Sequence, residues 1–365
     1  APRSSRSSWP ASVGVKSEVS TSLSPDRPAT ACPDVDILEI LACKRSAHHA
    51  FIHWLGNNAA EPVVHFNNVW PTRAPRLSHL RVAHADLATT DRALNRSRFD
   101  LLCRFPIRAI VNFEGKLPDS VSAWNASTLK PNSNKKIKKL VFLRDPLNNA
   151  ASLCWRIKQY DYINLFRFFH QIHALEELLQ AAAAGQARWA DHVVPLWRWQ
   201  EDRAFRETLA VDMRLRSAAL PDEVSRFGGG SSFGQNRFGD DDRGQLYRRW
   251  RTAISSDLFL APFTDDSFCE MTRRYVAEIG RGGDISLADV DEVVRAARGS
   301  PRAAHWKRYF LDGLRASRDW LVRLERSPSL PYREYVRARL RLRLALHGRR
   351  HTRLTRRASP PARRP

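Results

Sequence analysis

Two apolar segments, each followed by a cationic loop and a helix, most strongly restrict what this chain can fold into. The first covers residues 34–43 and is followed by the polar run 44–46 and a helical pattern over 47–55. The second covers residues 139–143 and continues into an Arg-Asp-Pro sequence at 144–146. Repeated strand, loop and helix units predict parallel strands, with the polar loops gathered at one edge of the sheet.

The remaining pattern also alternates between short apolar runs and helical periodicity. Pro146 suits the first position of a helix, with Asp145 before it as the N-cap. Further strands are predicted at 63–66, 99–103, 109–113 and 193–196, and helices at 147–158, 162–184, 201–210, 245–254, 265–280, 286–298 and 302–324. This order predicts an α/β fold of the P-loop type, with helices on both faces of a parallel sheet and a helical C-terminal part.

Composition divides the chain into three parts. Residues 1–34 are rich in Ser, Pro and Arg and are predicted to be a disordered arm. Residues 35–326 hold the apolar segments of one α/β domain. Residues 327–365 form an Arg-rich tail, also predicted to be disordered, although residues 340–346 could equally be drawn as an edge strand or a basic surface helix.

The net charge of +22 indicates an anionic partner. A nucleotide, a nucleic acid, a polyanionic glycan and a membrane surface all fit this charge. Residues 332–365 contain twelve arginines and one acid, and so supply about half of the excess. Polyanion contact by the C-terminal tail is therefore a separate hypothesis from anion binding within the domain.

Cysteine usage and hydropathy give the expected compartment. The five cysteines are odd in number and show no spacing typical of zinc ligands, so they are interpreted as reduced thiols, and no metal is expected. No apolar run is long enough for a transmembrane helix, and the N-terminal segment lacks the apolar stretch of a secretory signal. A cytoplasmic protein is expected.

The first cationic loop has the chemistry of an oxyanion site. A loop that leaves a parallel strand and enters a helix directs backbone N–H groups and the positive helix end to one place. Arg45, Ser46, His48 and His49 would add donors there. At the second strand end, Arg144 lies in the loop and Ser152 two helical turns later. Taken singly, the first segment could be a solvated turn, and Arg144 could pair with a carboxylate.

Together, the two segments resemble the signatures by which sulfotransferases bind 3′-phosphoadenosine-5′-phosphosulfate (PAPS). The resemblance implies that Arg45, Ser46, Ala47, His48 and His49 form the 5′-phosphosulfate loop. It also implies that Arg144 and Ser152 bind the 3′-phosphate, and that a late glycine-rich loop covers the nucleotide through Arg226, Gly228, Gly229 and Gly230. Ala47 departs from the family, which usually has glycine there, and this would be costly if the position needs positive φ.

Sulfuryl transfer to a hydroxyl also requires a group that accepts its proton. The candidates are His48, His49 and Glu114, with Asp86 as a further one. The resemblance therefore implies an enzyme that transfers a sulfuryl group from PAPS to a hydroxyl or amine of a carbohydrate-like or small acceptor.

Two other functions remain open at this point. A P-loop nucleotide kinase or NTPase would need a G-x-x-x-x-G-K-[ST] loop, and the sequence contains none. A basic nucleic-acid-binding protein with a degenerate nucleotide site would bind through its arginine-rich ends.

Overall fold

The structure is a computed structural model. It describes residues 35–69, 77–82, 85–86, 106–121, 135–157, 160, 162–183, 190–220, 248–279, 285–316, 318–319 and 322. The predicted strand at 99–103, the glycine-rich segment at 226–230, the arm at 1–34 and the tail at 327–365 lie outside these residues. The division of the chain into three parts stays a prediction.

Seven strands form one mixed sheet in the order β4-β3-β2-β5-β1-β6-β7. Their bounds are β1 Val35–Ala42, β2 Val63–Phe66, β3 Leu77–Val82, β4 Ala85–Asp86, β5 Ile107–Glu114, β6 Lys135–Leu143 and β7 His192–Pro195. Five neighbouring strands, in the order β2-β5-β1-β6-β7, pair in parallel. β3 and β4 are added antiparallel at the β2 edge. The predicted α/β fold with a parallel sheet is confirmed.

Helices cover both faces of this sheet. The described helices are α1 His48–Asn58, α2 Pro118–Val121, α3 Pro146–Trp155, α4 Tyr162–Ala183, α5 Leu196–Glu201, α6 Arg203–Asp212, α7 Arg249–Ala253, α8 Asp257–Leu260, α9 Asp266–Arg274, α10 Leu287–Arg298, α11 Pro301–Trp306 and α12 Asp312–Ala316. A 3-10 turn at Ala261–Thr264 follows α8, and π-helical turns follow α9 at Tyr275–Ile279 and α11 at Lys307–Leu311.

Two apolar cores result from the alternation of side chains along the strands. On one face, Phe51 and Trp54 of α1 pack with Trp199 of α5 against Phe142 of β6. The larger core lies on the other face, where α3, α4 and the C-terminal helices pack together. The helical C-terminal part predicted from sequence is thus one side of a three-layer domain.

Several predicted elements differ from the observed ones in length or continuity. The segment predicted as one helix over 265–280 changes from α-helix to a π-helical turn at Tyr275, and the one over 302–324 changes to a π-helical turn at Lys307. Residues 196–201 form a short helix, although the strand was predicted to extend to 196. Periodicity locates apolar faces well, but it does not register a local change in hydrogen bonding.

The topology places the two cationic loops next to each other. β1 is hydrogen-bonded to both β5 and β6, and the helices after β1 and β6 lie on opposite faces of the sheet. Open α/β sheets bind ligands where the chain reverses its direction of strand addition, outside the carboxyl ends of the strands. Here that point lies between β1 and β6.

A glycine fixes the edge beside this point. Gly115 follows β5 with φ of 62°, and its N–H donates to the carbonyl of Ala42 at 2.7 Å. A Cβ on Gly115 would lie 2.0 Å from Oε1 of Gln171. The same amide oxygen accepts from the N–H of Lys44 at 3.3 Å, so α4 supports the first cationic loop through Gln171.

Within the described residues, no helix has both the length and the apolar character needed to cross a membrane. The cysteines at 43, 154 and 269 are free thiols, and those at 32 and 103 lie outside the described residues.

Glu39 is a buried carboxyl group in the central strand. It is 4% exposed, and the ammonium group of Lys139 lies 3.9 Å from its Oε2. Burial raises the pKa of Glu39 to about 7, with a smaller opposing effect of Lys139. Between pH 4.5 and 7 the folded chain therefore holds a proton that the unfolded chain releases, and the free energy of unfolding falls as the pH rises.

We predict that Glu39→Gln raises the free energy of unfolding by about 1–3 kcal/mol at pH 8 and changes it little near pH 4, because only the charged form is penalised by burial. Urea unfolding at both pH values measures this difference. Glu207→Gln, on the exposed side of α6, is the control and should show little difference at either pH. Equal effects of the two substitutions at pH 8 would contradict the interpretation of Glu39.

Candidate active site

The loop after β1 has an unusual backbone conformation for its residues. Arg45 has φ of 67°, and Ala47 has φ of 69° and ψ of 14°, in the left-handed region. Ala47 occupies the N-cap position of α1 without a side-chain cap, and the N–H of Ala50 donates to its carbonyl at 3.0 Å. Alanine at position 47 is expected to be costly if φ is positive there, and the observed φ is positive.

The loop after β6 follows the predicted cap. The Asp145 carboxylate accepts from the N–H of Asn148 at 2.7 Å, and Pro146 begins α3. Burial raises the pKa of Asp145, while the charge of Arg144 and the hydrogen bonds from Asn148 lower it. The cap holds the start of α3 against the end of β6 and so fixes where Arg144 leaves the strand.

Arg144 joins the two loops. Its Nη1 donates to the carbonyl of Arg45 at 3.2 Å and to Oγ of Ser152 at 3.1 Å. The guanidinium is almost fully buried, with the nearest oxygen of Asp145 4.0 Å from its Nε. The two residues that the resemblance assigns to one phosphate are therefore in direct contact, and Arg144 also contacts the first loop.

Arg249 joins the same group, although the sequence did not mark it as a site residue. Its Nη1 donates to Oγ of Ser152 at 3.3 Å. The N–H of the following residue, Trp250, donates to the side chain of Asn148 at 3.3 Å, which holds α7 against α3. Only a run of two arginines before a tryptophan at 248–250 could have marked this position in the sequence.

The arginine cluster, defined as Arg45, Arg144, Arg249 and Ser152, holds positive charge in a partly buried place. Burial, with smaller contributions from the charges of Arg144 and Arg45, lowers the pKa of Arg249 to about 9. Burial also lowers the pKa of Arg45, as do the charges of Arg156 and Arg144. Nε of Arg45 is buried and has no hydrogen-bond partner in the part of the chain that the structure describes. The electrostatics of the cluster therefore favour the approach of an anion.

A second group lies on the α1 side of the same loop. His48 is buried, with Nδ1 3.0 Å from Oγ of Ser46 and Nε2 3.9 Å from Oε1 of Glu114. Burial lowers the pKa of His48 well below its usual range, and the neighbouring His49, His65 and Arg45 add to this effect. His48 is therefore a neutral imidazole near pH 7, beside a carboxylate.

His49 belongs to a separate network. Its Nε2 lies 3.3 Å from Oδ1 of Asn67, which also accepts from Nδ2 of Asn112 at 2.9 Å. Asn67 follows β2 and Asn112 lies near the end of β5, so this imidazole–amide cluster of His49, Asn67 and Asn112 joins three strand ends. The sequence did not assign either asparagine to the site.

The structure thus brings the candidates of both loops and Glu114 to one edge of the sheet. Asp86 lies in β4, which three strands separate from β1, so its place argues against a role as the base. Arg226, Gly228, Gly229 and Gly230 lie outside the described residues, and their part in the site stays a prediction. The described residues contain no group of three or more His, Cys, Asp or Glu side chains arranged to hold a metal ion.

Comparison with known proteins gives little further information. No protein-family model and no curated protein sequence matches the chain. Among solved structures, a mouse sulfotransferase, SULT7A1, complexed with PAP, aligns with 76% of this chain and 89% of its own length. The sequence identity is 12% and the TM-score is 0.26.

We predict that Ala47→Gly is at least about 1 kcal/mol less destabilising than Ala50→Gly, because glycine relieves the left-handed strain only at position 47. The two alanines form a matched pair, since both are partly buried against the same core. Chemical denaturation of both variants measures the difference. Equal losses of stability would show that position 47 carries no strain.

Proposed function

We propose that the chain is a PAPS-dependent sulfotransferase that acts on a hydroxyl or amine of a carbohydrate-like or small acceptor. One observation carries this proposal. Arg144 contacts both Ser152 and the positive-φ loop after β1, at the switch point of a parallel sheet, and Arg249 reaches the same serine. Two anion-binding positions fixed to each other in this way match a nucleotide with phosphate groups at both ends of its ribose.

The described residues fit such a nucleotide. Ser152 and the guanidinium groups of Arg144 and Arg249 would bind the 3′-phosphate, because two cations and a hydroxyl meet there. Arg45, Ser46 and the start of α1 would bind the 5′-phosphosulfate. Arg45 has a buried Nε without a partner in the described part of the chain, and an oxyanion would satisfy it.

The acceptor side would use Glu114 as the base. His48 Nε2 and Glu114 Oε1 are 3.9 Å apart, too far for a direct hydrogen bond, but a hydroxyl oxygen about 2.8 Å from each would fit between them. PAPS supplies an activated sulfuryl group when bound. The acceptor oxygen would form the new bond to sulfur, the bond from sulfur to the nucleotide phosphate would break, and the hydroxyl proton would pass to Glu114.

Arg45 would act on the leaving side of the reaction. The bond that breaks leaves negative charge on the nucleotide phosphate, and a fixed guanidinium nearby stabilises that charge. His48 would position the acceptor hydroxyl rather than take its proton, because burial lowers the pKa of its imidazole and so disfavours the protonated form, while Ser46 holds the ring in place. The roles of His48 and Glu114 are thus distinct within one pair.

We predict that the product nucleotide 3′-phosphoadenosine-5′-phosphate (PAP) binds more than tenfold tighter than AMP or ADP, because only PAP fills the site at Ser152. Arg249→Ala should weaken PAP binding about 10- to 100-fold, through a lost charged hydrogen bond of about 1.5–3 kcal/mol, and should leave AMP binding nearly unchanged. Ser152→Ala should weaken PAP binding less. Calorimetric titration measures all three ligands.

Arg298→Ala is the matched control for loss of one positive charge, because Arg298 is exposed and its carboxylate partner Asp266 is almost fully exposed. It should leave the preference for PAP unchanged. Equal affinities for PAP and ADP in the unmodified chain would refute the 3′-phosphate site and favour a kinase or NTPase.

We predict that Glu114→Gln lowers the rate of PAPS-dependent sulfation about 10²- to 10⁴-fold while leaving the dissociation constant of PAP within about threefold, because the amide cannot accept the proton. Transfer of ³⁵S from labelled PAPS to a mixture of acceptors measures the rate, and calorimetry measures PAP binding. Glu207→Gln on α6 is the control. Full activity of Glu114→Gln would exclude Glu114 as the base.

A further inference from the structure

The polar atoms around the imidazole–amide cluster are only partly satisfied. Asn112 is fully buried, and its Nδ2 donates to Asn67, but its Oδ1 is also buried and has no partner within the described residues. Oδ1 of Asn68 and Nε2 of His48 are in the same condition. A buried polar atom without a partner costs about 1–3 kcal/mol. Three such atoms at one edge of the sheet therefore call for a ligand that pairs with them.

The backbone holds this cluster in place. The N–H of Val69 donates to the carbonyl of Asn112 at 2.8 Å, which ties the turn after β2 to β5. Asn68, within that turn, has φ of 50°. The amide groups are therefore fixed before any ligand arrives, as expected of a binding surface that loses little entropy when it is occupied.

The chemistry of these atoms selects among acceptors. Both unpartnered amide oxygens accept hydrogen bonds, so their ligand must carry several donors. An anionic acceptor would be repelled by these oxygens and by the Glu114 carboxylate. A cationic amine would lie near the positive charges of the arginine cluster. Neutral hydroxyl groups, which both donate and accept, fit the amides and the imidazoles together.

We propose that the acceptor is a neutral polyhydroxylated molecule, a sugar or polyol, whose hydroxyl groups bind Asn112, Asn68, Asn67 and His49 while a neighbouring hydroxyl lies between His48 and Glu114. This assignment rests on the proposed sulfotransferase function. It narrows the acceptor from a carbohydrate-like or small molecule with a hydroxyl or amine to a neutral one that presents several hydroxyl groups together. It also makes Asn112 and Asn67 specificity-determining residues of the reaction.

The test uses the full chain saturated with PAP and saturation-transfer NMR with methyl α-glucoside, myo-inositol, 4-nitrophenol and ethanolamine. We expect at least one of the two polyols to bind, and Asn112→Leu to weaken that binding at least tenfold with PAP affinity unchanged. The melting temperature of Asn112→Leu should change little, because removal of the buried oxygen offsets the loss of the hydrogen bond from Nδ2 to Asn67. Asn67→Ala, at a partly exposed position, should weaken polyol binding even if Asn112→Leu fails to fold.

Asn57→Ala is the matched control, since Asn57 lies in α1 and its amide pairs with His53 instead of the cluster. It should leave polyol binding unchanged. Polyol binding that is insensitive to both asparagine substitutions, or binding of only 4-nitrophenol or ethanolamine, would overturn the acceptor assignment and leave the sulfotransferase proposal intact. Failure of PAP to bind would overturn both.

Discussion

The buried guanidinium of Arg144 connects the parts of the site that the chain places about a hundred residues apart. It donates to a carbonyl in the loop between β1 and α1 and to a serine in α3, the helix after β6. α1 and α3 lie on opposite faces of the sheet. Arg144 reaches both loops because β1 and β6 are neighbours and Arg144 follows the end of β6. The separation of the two proposed anion subsites is therefore set by the sheet itself.

The cationic cluster is unfavourable for the protein alone. Burial lowers the pKa of both Arg45 and Arg249, and the charge of Arg144 adds to both shifts. Sites that bind anionic groups tolerate this repulsion between cations, because the bound anion neutralises it. The free energy gained in this way contributes to affinity. The left-handed backbone at Ala47 is a second local cost in this loop. The methyl group of Ala47 packs against the α1-side core, and this contact partly offsets the backbone strain that glycine would avoid.

The proposed acceptor side also contains buried polar atoms without hydrogen-bond partners among the described residues, but they are of a different chemical kind. Within the described residues, the buried atoms without hydrogen-bond partners on this side belong to the neutral side chains of Asn112, Asn68 and His48, whereas the unpartnered Nε of Arg45 belongs to a guanidinium group. The loop from Arg45 to His49 separates these two environments and contributes residues to both. A reaction that moves a charged group from an anionic donor to a neutral acceptor needs such a boundary, with donors for the leaving group on one side and a base on the other.

The sequence by itself determined the strand, loop and helix units and the Asp145 cap with Pro146 after it, because each depends on residues close together in the chain. The pairing of Arg144 with Ser152 was implied by the resemblance to sulfotransferases. The sequence could also name Glu114 and His48 as candidates, since both follow or end predicted strands. Tertiary structure alone decided that Arg249 meets Ser152, that Asn67 meets Asn112, and that Ala47 is left-handed. Those outcomes depend on how strands and helices distant in the chain pack against one another. A local pattern of residues contains no information about that packing.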